Sequence, residues 1–223
     1  MTTIFFEDVT CAVCSHQSKV RTMGSTNAFG SMDLDTRPPE MQRSTMDMWV
    51  YACPSCGYCA ADLAEPGDGL AEIVASDSYQ ALRKNAVISA KARGFLCQAL
   101  VARSQGRLND AAWATIRVAW VCDDEGASVA AARHRLEAVE LAQAADLAGT
   151  PVSPDAGGSA AIKTDLLRRG GSFAEAHAVA QAAIAASPPD VIETVLRYQL
   201  RLIDAKDRSC RTVEEALQAM QAP

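Results

Sequence analysis

Aromatic side chains are scarce in this chain: Phe, Trp and Tyr together make up 5% of it. A core short of large rings must close through small and aliphatic groups. Apolar residues still reach 49%, with alanine abundant. Alanine loses no rotamer freedom in a helix, so the bias predicts helices packed at close range. Surplus positive charge is lacking too. The formal net charge is −6 over 223 residues, which argues against a dominant nucleic-acid footprint, because phosphate binding draws on excess Lys and Arg. No apolar run reaches the roughly 18 residues that a membrane span needs. The opening residues, MTTIFFEDVTC, carry no basic patch and no long apolar stretch, so no secretory signal is expected and the expected location is the cytoplasm. Enzyme motifs are also missing. There is no Walker loop, no dinucleotide-binding glycine turn, no nucleophile elbow and no His-Glu-x-x-His. The chain is therefore read as a non-enzyme.

What is present in number is cysteine. There are eight, five of them within residues 1–65. Where no disulfide-forming compartment is indicated, clustered cysteines point to metal. Composition changes at EPGDG (Glu65–Gly69), a turn-forming cluster. Residues 1–65 are read as a small zinc-ribbon-like β module. Residues 70–223 are read as an all-α domain of helical hairpins, giving an α+β chain.

Cys11 and Cys14 form one Cys-x-x-Cys hook, and Cys53 and Cys56 form a second. A hook lets two thiolates converge on one ion from a tight turn, and two hooks complete a tetrahedron, the typical structural zinc site. One zinc per chain is expected. The same spacing can hold an iron–sulfur cluster, but the Cys-Pro-x-Cys-Gly form of the second hook favours zinc. Pro54 stiffens that turn, and Gly57 can take positive φ behind the second ligand. The first hook has neither residue. Strands are predicted to lead into both hooks, IFFEDVT (Ile4–Thr10) into the first and MDMWVYA (Met46–Ala52) into the second, by alternation. Between the hooks lie 38 residues, where common ribbons have about 15–20. The extra length is assigned to a loop over Gly24–Glu40.

Two neighbours compete as ligands. His16 can replace a thiolate, but an ordinary surface histidine is the preferred reading. Cys59 can extend the second hook, but it starts the segment leading away and is read as a small packed side chain. Asp33 and Asp35 form an Asp-x-Asp pair, read as turn caps with a cation site as the alternative.

The run SMDLDTRPP…MDMWVYACPSCGYCAADL resembles a bacterial domain-of-unknown-function family, number twenty-two twenty-five. Asp33 and Asp35 match its acidic pair. Trp49 and Val50 match its approach to the hook, and Cys53, Cys56, Gly57 and Tyr58 match the hook itself. The chain departs from the pattern by Tyr51 and Ala52 ahead of Cys53, and by Cys59 where a small residue is expected. The resemblance implies an architecture, a double cysteine hook plus tetratricopeptide-like helices, and no activity.

In the helical half, QGRLNDAAWATIRVAW and RGGSFAEAHAVAQAAIAASPPD share a construction: a glycine turn, an apolar residue two positions on, then a small-residue helix. Gly106 and Gly171 are 65 positions apart, close to twice the roughly 34-residue tetratricopeptide period. The helix around VAAARHRLEAVELAQAADLA fits between. Such hairpins stack because none buries its face alone. Capping boxes are expected at Ser172/Glu175 and Thr212/Glu215, and an N-cap at Ser187 before Pro188. Val191, Val195, Tyr198 and Leu202 form one apolar stripe, and Trp113, Ile116 and Trp120 another. Cys97, Cys122 and Cys210 read as isolated buried thiols, His134 and His177 as solvated, and Gly149–Ala161 as a flexible connection.

Function is read as that of a zinc-stabilised adaptor whose helical hairpins bind a protein or peptide partner. A nucleic-acid-binding ribbon and a thiol- or metal-responsive regulator are the alternatives. Residues 1–65 hold four basic residues against eight acidic ones, and four thiolates on a zinc ion add two further negative charges. That balance repels phosphate and favours the adaptor.

Overall fold

The computed structural model describes residues 2–221. The predicted class holds: a small antiparallel β portion with a cysteine cluster precedes an all-helical portion. Strands β1 (Thr3–Thr10) and β2 (Gln17–Ser25) form one hairpin, with Thr10 opposite Gln17. Strands β3 (Tyr51–Ala52) and β4 (Cys59–Ala60) form a second, with Ala52 opposite Cys59. Each cysteine hook is thus the closing loop of a hairpin. Of the strand predicted over Met46–Ala52, only Tyr51–Ala52 is one. Arg43–Met48 is a 3-10 helix that buries Thr45, Met46 and Met48. The spacing of Met46 and Met48 suits either form, and the buried methionines settle on the core through the tighter turn.

Nine helices follow among the described residues: α1 (Leu70–Ala75), α2 (Asp77–Lys84), α3 (Ala90–Ser104), α4 (Leu108–Asp124), α5 (Ser128–Leu147), α6 (Ala156–Gly170), α7 (Phe173–Ala185), α8 (Asp190–Asp204) and α9 (Val213–Gln221). None is long and apolar enough to cross a membrane. From α3 onward each helix packs on the next, and α6 also meets α8. One turn recurs. Gly106, Gly126, Gly149 and Gly171 follow α3 to α6 with positive φ. After each, the next N–H returns to a carbonyl five residues back, as Arg107 does to Ala102 at 2.9 Å and Ala127 to Cys122 at 2.8 Å. This is the Schellman closure, in which a residue without Cβ ends the helix and the chain reverses. The core beneath is built on alanine as the composition predicted, with Ala111, Ala112, Ala138 and Ala142 all at 0% exposure. Such small contacts let helix backbones approach closely.

Several local expectations are corrected. Gly149–Ala161 is no flexible connection, since α6 begins at Ala156 under an Asp155 cap whose carboxylate accepts from Gly158 N–H at 2.6 Å. Gly157 lies so close to Pro188 that a Cβ would sit 2.9 Å from the proline ring. The glycines serve close packing there, not freedom. Ser187 is not the cap of α8; it holds positive φ, and Pro189 precedes the first helical residue, Asp190. Ser172 stands at the N-cap of α7 without a side-chain bond. The Thr212/Glu215 box is present in both directions, with Thr212 N–H donating to Glu215 at 2.6 Å and Glu215 N–H to Thr212 at 3.2 Å. In the α8 stripe Val195 and Leu202 are buried, but Val191 is exposed. His134 is buried and bonds Glu137 at 3.1 Å, because α5 packs on both sides. His177 is exposed as expected.

The segment between the hooks does not hang free. It runs across the helices to the far end of the array. Leu34 packs with Ala180, Leu196 and Ala216, and its N–H donates to Arg211 carbonyl at 2.9 Å. Asp33 and Asp35 are buried, at 3% and 0% exposure. Asp33 pairs with Arg43 at 2.8 Å. Asp35 accepts the Trp120 indole N–H at 2.8 Å and the Arg169 guanidinium at 3.1 Å. Arg169 reaches on to Asp123 at 2.6 Å, which also holds Arg135, and Arg37 pairs with Asp124 at 2.6 Å. The acidic pair thus binds arginines rather than capping turns alone. Only the Arg37 N–H to Asp35, at 3.3 Å, is of the expected turn kind.

Candidate metal centre

The two hooks share one geometry. In each, the first cysteine's N–H donates to the carbonyl five residues on, Cys11 to His16 at 2.9 Å and Cys53 to Tyr58 at 2.8 Å. In each, its carbonyl accepts from the residue four on, Ser15 at 2.9 Å and Gly57 at 2.9 Å. That fourth residue takes positive φ in both cases, +58° at Ser15 and +78° at Gly57. The first hook therefore makes the same turn without glycine, through a serine in a conformation costly to side-chain-bearing residues. Gly57 has a second reason to lack a Cβ: the Arg83 side chain lies across it, within 2.1 Å of where that atom would be.

Outside contacts aim the hooks at each other. Ala12 N–H donates to Leu63 carbonyl at 2.8 Å, tying the first hook to the turn that follows the second hairpin. Tyr79, fully buried on α2, donates its hydroxyl to Gly57 carbonyl at 2.9 Å and accepts Cys59 N–H at 3.0 Å. Residues on both sides of the Glu65–Gly69 turn share one apolar cluster, which joins Cys11, Cys53, Tyr58 and Leu63 to Leu70, Val74 and Val101.

Cys11, Cys14, Cys53 and Cys56 are brought together with all four sulfurs within 4.8 Å of one another. Cys11 Sγ lies 3.7 Å from Cys56 Sγ, and Cys14 Sγ 3.6 Å from Cys53 Sγ. A disulfide needs about 2.05 Å, so these are not bonded pairs. A tetrahedron of thiolates about 2.3 Å from a central ion has edges of about 3.8 Å. The donor set fits a metal ion. Cys11 and Cys53 form its buried side, and Cys14 is exposed.

Without a cation, the thiols of Cys11, Cys14 and Cys56 are pulled in opposite directions. Cys14 is drawn down to about 6, first by the His16 N–H aimed at its sulfur and then by the neighbouring thiols. Burial pushes Cys56 and Cys11 up, against backbone N–H groups that draw them down. A positive ion removes that conflict, because it favours every thiolate at once.

The competing ligands fall away on geometry. His16 is exposed and outside the sulfur cluster; its backbone serves the hook. Cys59 is buried at 5% exposure with its thiol 3.4 Å from Gly57 carbonyl, and it is outside the cluster too. Cys97 is not isolated as expected. It lies beside Cys59, and a thiol hydrogen bond between them, ahead of burial, lowers Cys59 and raises Cys97. Sequence could not pair them, because α3 meets the second hook only in the fold. Cys122 is buried as expected, whereas Cys210 is exposed between α8 and α9.

Fold and site together define a two-hook, tetra-cysteine cluster positioned to hold a metal ion, set against an all-helical portion. Comparison with protein-family models, with curated proteins and with solved structures finds no match for the chain.

Proposed function

We propose that the cysteine centre holds one structural zinc ion and that the chain is a cytoplasmic adaptor, binding a protein or peptide partner through its helical half. The observation that carries the metal reading is the sulfur tetrahedron: four protein thiolates close the coordination shell, and a closed shell leaves no position for substrate. The adaptor reading is supported by consecutive short-turn helical hairpins, the construction of tetratricopeptide-like arrays with extended binding surfaces. We also propose that the chain is a distant relative of the family its hook region resembles, on Asp33, Asp35, Trp49, Val50, Cys53, Cys56, Gly57 and Tyr58. The acidic balance of residues 1–65 favours a protein partner over nucleic acid.

Metal analysis of protein purified without added metal tests the first part, with about one zinc per chain expected. Iron in its place, or no metal, overturns it. The second part is tested by affinity capture from the native source at physiological salt with nuclease present. A protein partner in near-equal amount is expected. Tight, steeply salt-dependent binding to a generic oligonucleotide overturns it.

A further inference from the structure

All three tryptophans of the chain line one groove. It has a volume of about 510 Å³ and lies between α4 and the segment that joins the two hooks. Trp113, Arg117 and Trp120 project into it from α4 at a spacing that puts them on one helix face. Trp49, Pro38 and Pro39 complete the apolar wall. Two of the rings are fixed by their N–H groups, Trp120 on Asp35 at 2.8 Å and Trp49 on Thr45 at 2.9 Å.

Arg117 is the only charged residue lining this groove. Its guanidinium carbon lies 5.8 Å from the centre of the Trp49 ring. Its Nε is buried with no hydrogen-bond partner, and among the described residues no carboxylate pairs with it. Asp110, whose charge reaches it, is already paired with Arg107 at 2.8 Å. Burial lowers the Arg117 pKa, the sign of a cation short of a counter-charge, although a guanidinium stays protonated regardless. A partly desolvated, unpaired charge costs free energy that a bound anion would recover. A second cavity shares Trp113 and Arg117, but there Glu65 and Asp110 balance Arg107 and Arg117. On the tryptophan side no acid offsets Arg117, which makes that side the better one for an anion.

We propose that this groove binds a small aromatic acid, a one- or two-ring molecule held among the three tryptophans with its carboxylate on Arg117. The volume is in the range of small-molecule sites, about 300–1,000 Å³. Offset and edge-on ring contacts suit the tryptophan walls. A planar guanidinium matches a carboxylate through two parallel hydrogen bonds. None of the four clustered cysteines lines the groove, so the site goes beyond the metal and adaptor reading and does not depend on it.

The test uses the full metal-loaded chain, with 2-naphthoate as probe and 2-naphthamide, the same rings without charge, as control. Binding is followed by calorimetry and by the three indole N–H signals in a nitrogen-15 spectrum. Naphthoate should bind at least about tenfold tighter than the amide and should shift the indole signals. Arg117→Gln should erase that preference without lowering the melting temperature, because it removes an unpaired, partly buried charge. Arg117→Lys should keep part of the preference. Trp113→Leu should weaken both probes alike and leave the preference intact. Equal affinity for acid and amide, no binding of either, or unchanged naphthoate affinity in Arg117→Gln overturns the proposal. So does tighter binding of an acetylated dipeptide ending in tryptophan, which would make the occupant a chain end rather than a free acid.

Discussion

The β1–β2 hairpin and the α4–α5 pair are both antiparallel reversals with short loops, yet they are ordered by opposite means. Of the eight residues of β1, all but Val9 are exposed, Phe5 and Phe6 included. Ten residues of α4 are buried, most of them alanine or aliphatic. A two-stranded hairpin with so little covered surface is marginal alone, so its order rests on the hook at its tip. The helical pair needs no such clamp. If the cysteine centre holds the proposed ion, coordination would carry much of the stability of one region and packing that of the other, and the two should fail separately.

Removing the metal should separate them most strongly. For comparable modules the metal's binding free energy, about 10–16 kcal/mol, is folding free energy. Cys53→Ser or Cys56→Ala should release the ion and open residues 3–25 to protease, while far-UV circular dichroism retains most of the helical signal. Collapse of both signals together would break the comparison. Next in size is Asp35→Ala. It leaves the buried Trp120 indole without its acceptor and Arg169 with Asp123 as its remaining carboxylate. Breaking such a pair costs about 3–5 kcal/mol, roughly a 10 °C fall in melting temperature for a chain of this size. Metal content should be unchanged. Ala138→Leu, at a fully buried alanine of α5, should cost about 1–3 kcal/mol by overpacking, again with metal retained.

Acid titration sharpens the contrast. Burial raises the Asp123 carboxyl, but Arg135 and Arg169 outweigh it and hold it below the usual range. A group lowered in the folded state contributes stability above its unfolded pKa of about 3.9, and that contribution is lost as pH falls through the lower folded value. Metal-bound thiolates meet competition from protons at higher pH, since free thiols ionise near 8.5. On acidification, metal release measured with a chromophoric chelator should therefore precede the loss of helix. A single coincident transition would contradict it. The smallest effect belongs to Cys59→Ala, which should keep the metal and the fold. Loss of the ion in that variant would place Cys59 in the coordination shell and promote the thiol-responsive reading.

The cysteine centre was legible in the sequence because each hook is local: two ligands three positions apart make their own turn, and only the meeting of the hooks is long-range. The helices were legible for the same reason, through glycine turns and small-residue faces. What escaped was decided by distant partners. Nothing near Asp35 announces Trp120 or Arg169, and nothing near His134 announces that its helix is packed on both sides. Met46 and Met48 alternate as in a strand, yet that stretch is a 3-10 helix with both side chains buried, Met46 on the helical core. Gly157 and Gly158 looked like a flexible joint because sequence does not display the approach of Pro188 and Ser153.

The docking of Asp33 and Leu34 against Arg211 and Thr212 sets an order of events during synthesis. Both hooks are complete once residue 56 has been made, so the ion can be captured while most of the helices are still untranslated. The segment strung between the hooks must wait for a partner nearly 180 residues downstream. Asp35 can meet Trp120 and Arg169 earlier, but Leu34 lacks its Arg211 and Ala216 partners until the last helices leave the ribosome. Nascent chains stalled after α7 should therefore carry the proposed ion with an open, protease-sensitive stretch around Leu34, closed once residues 211–216 have been made.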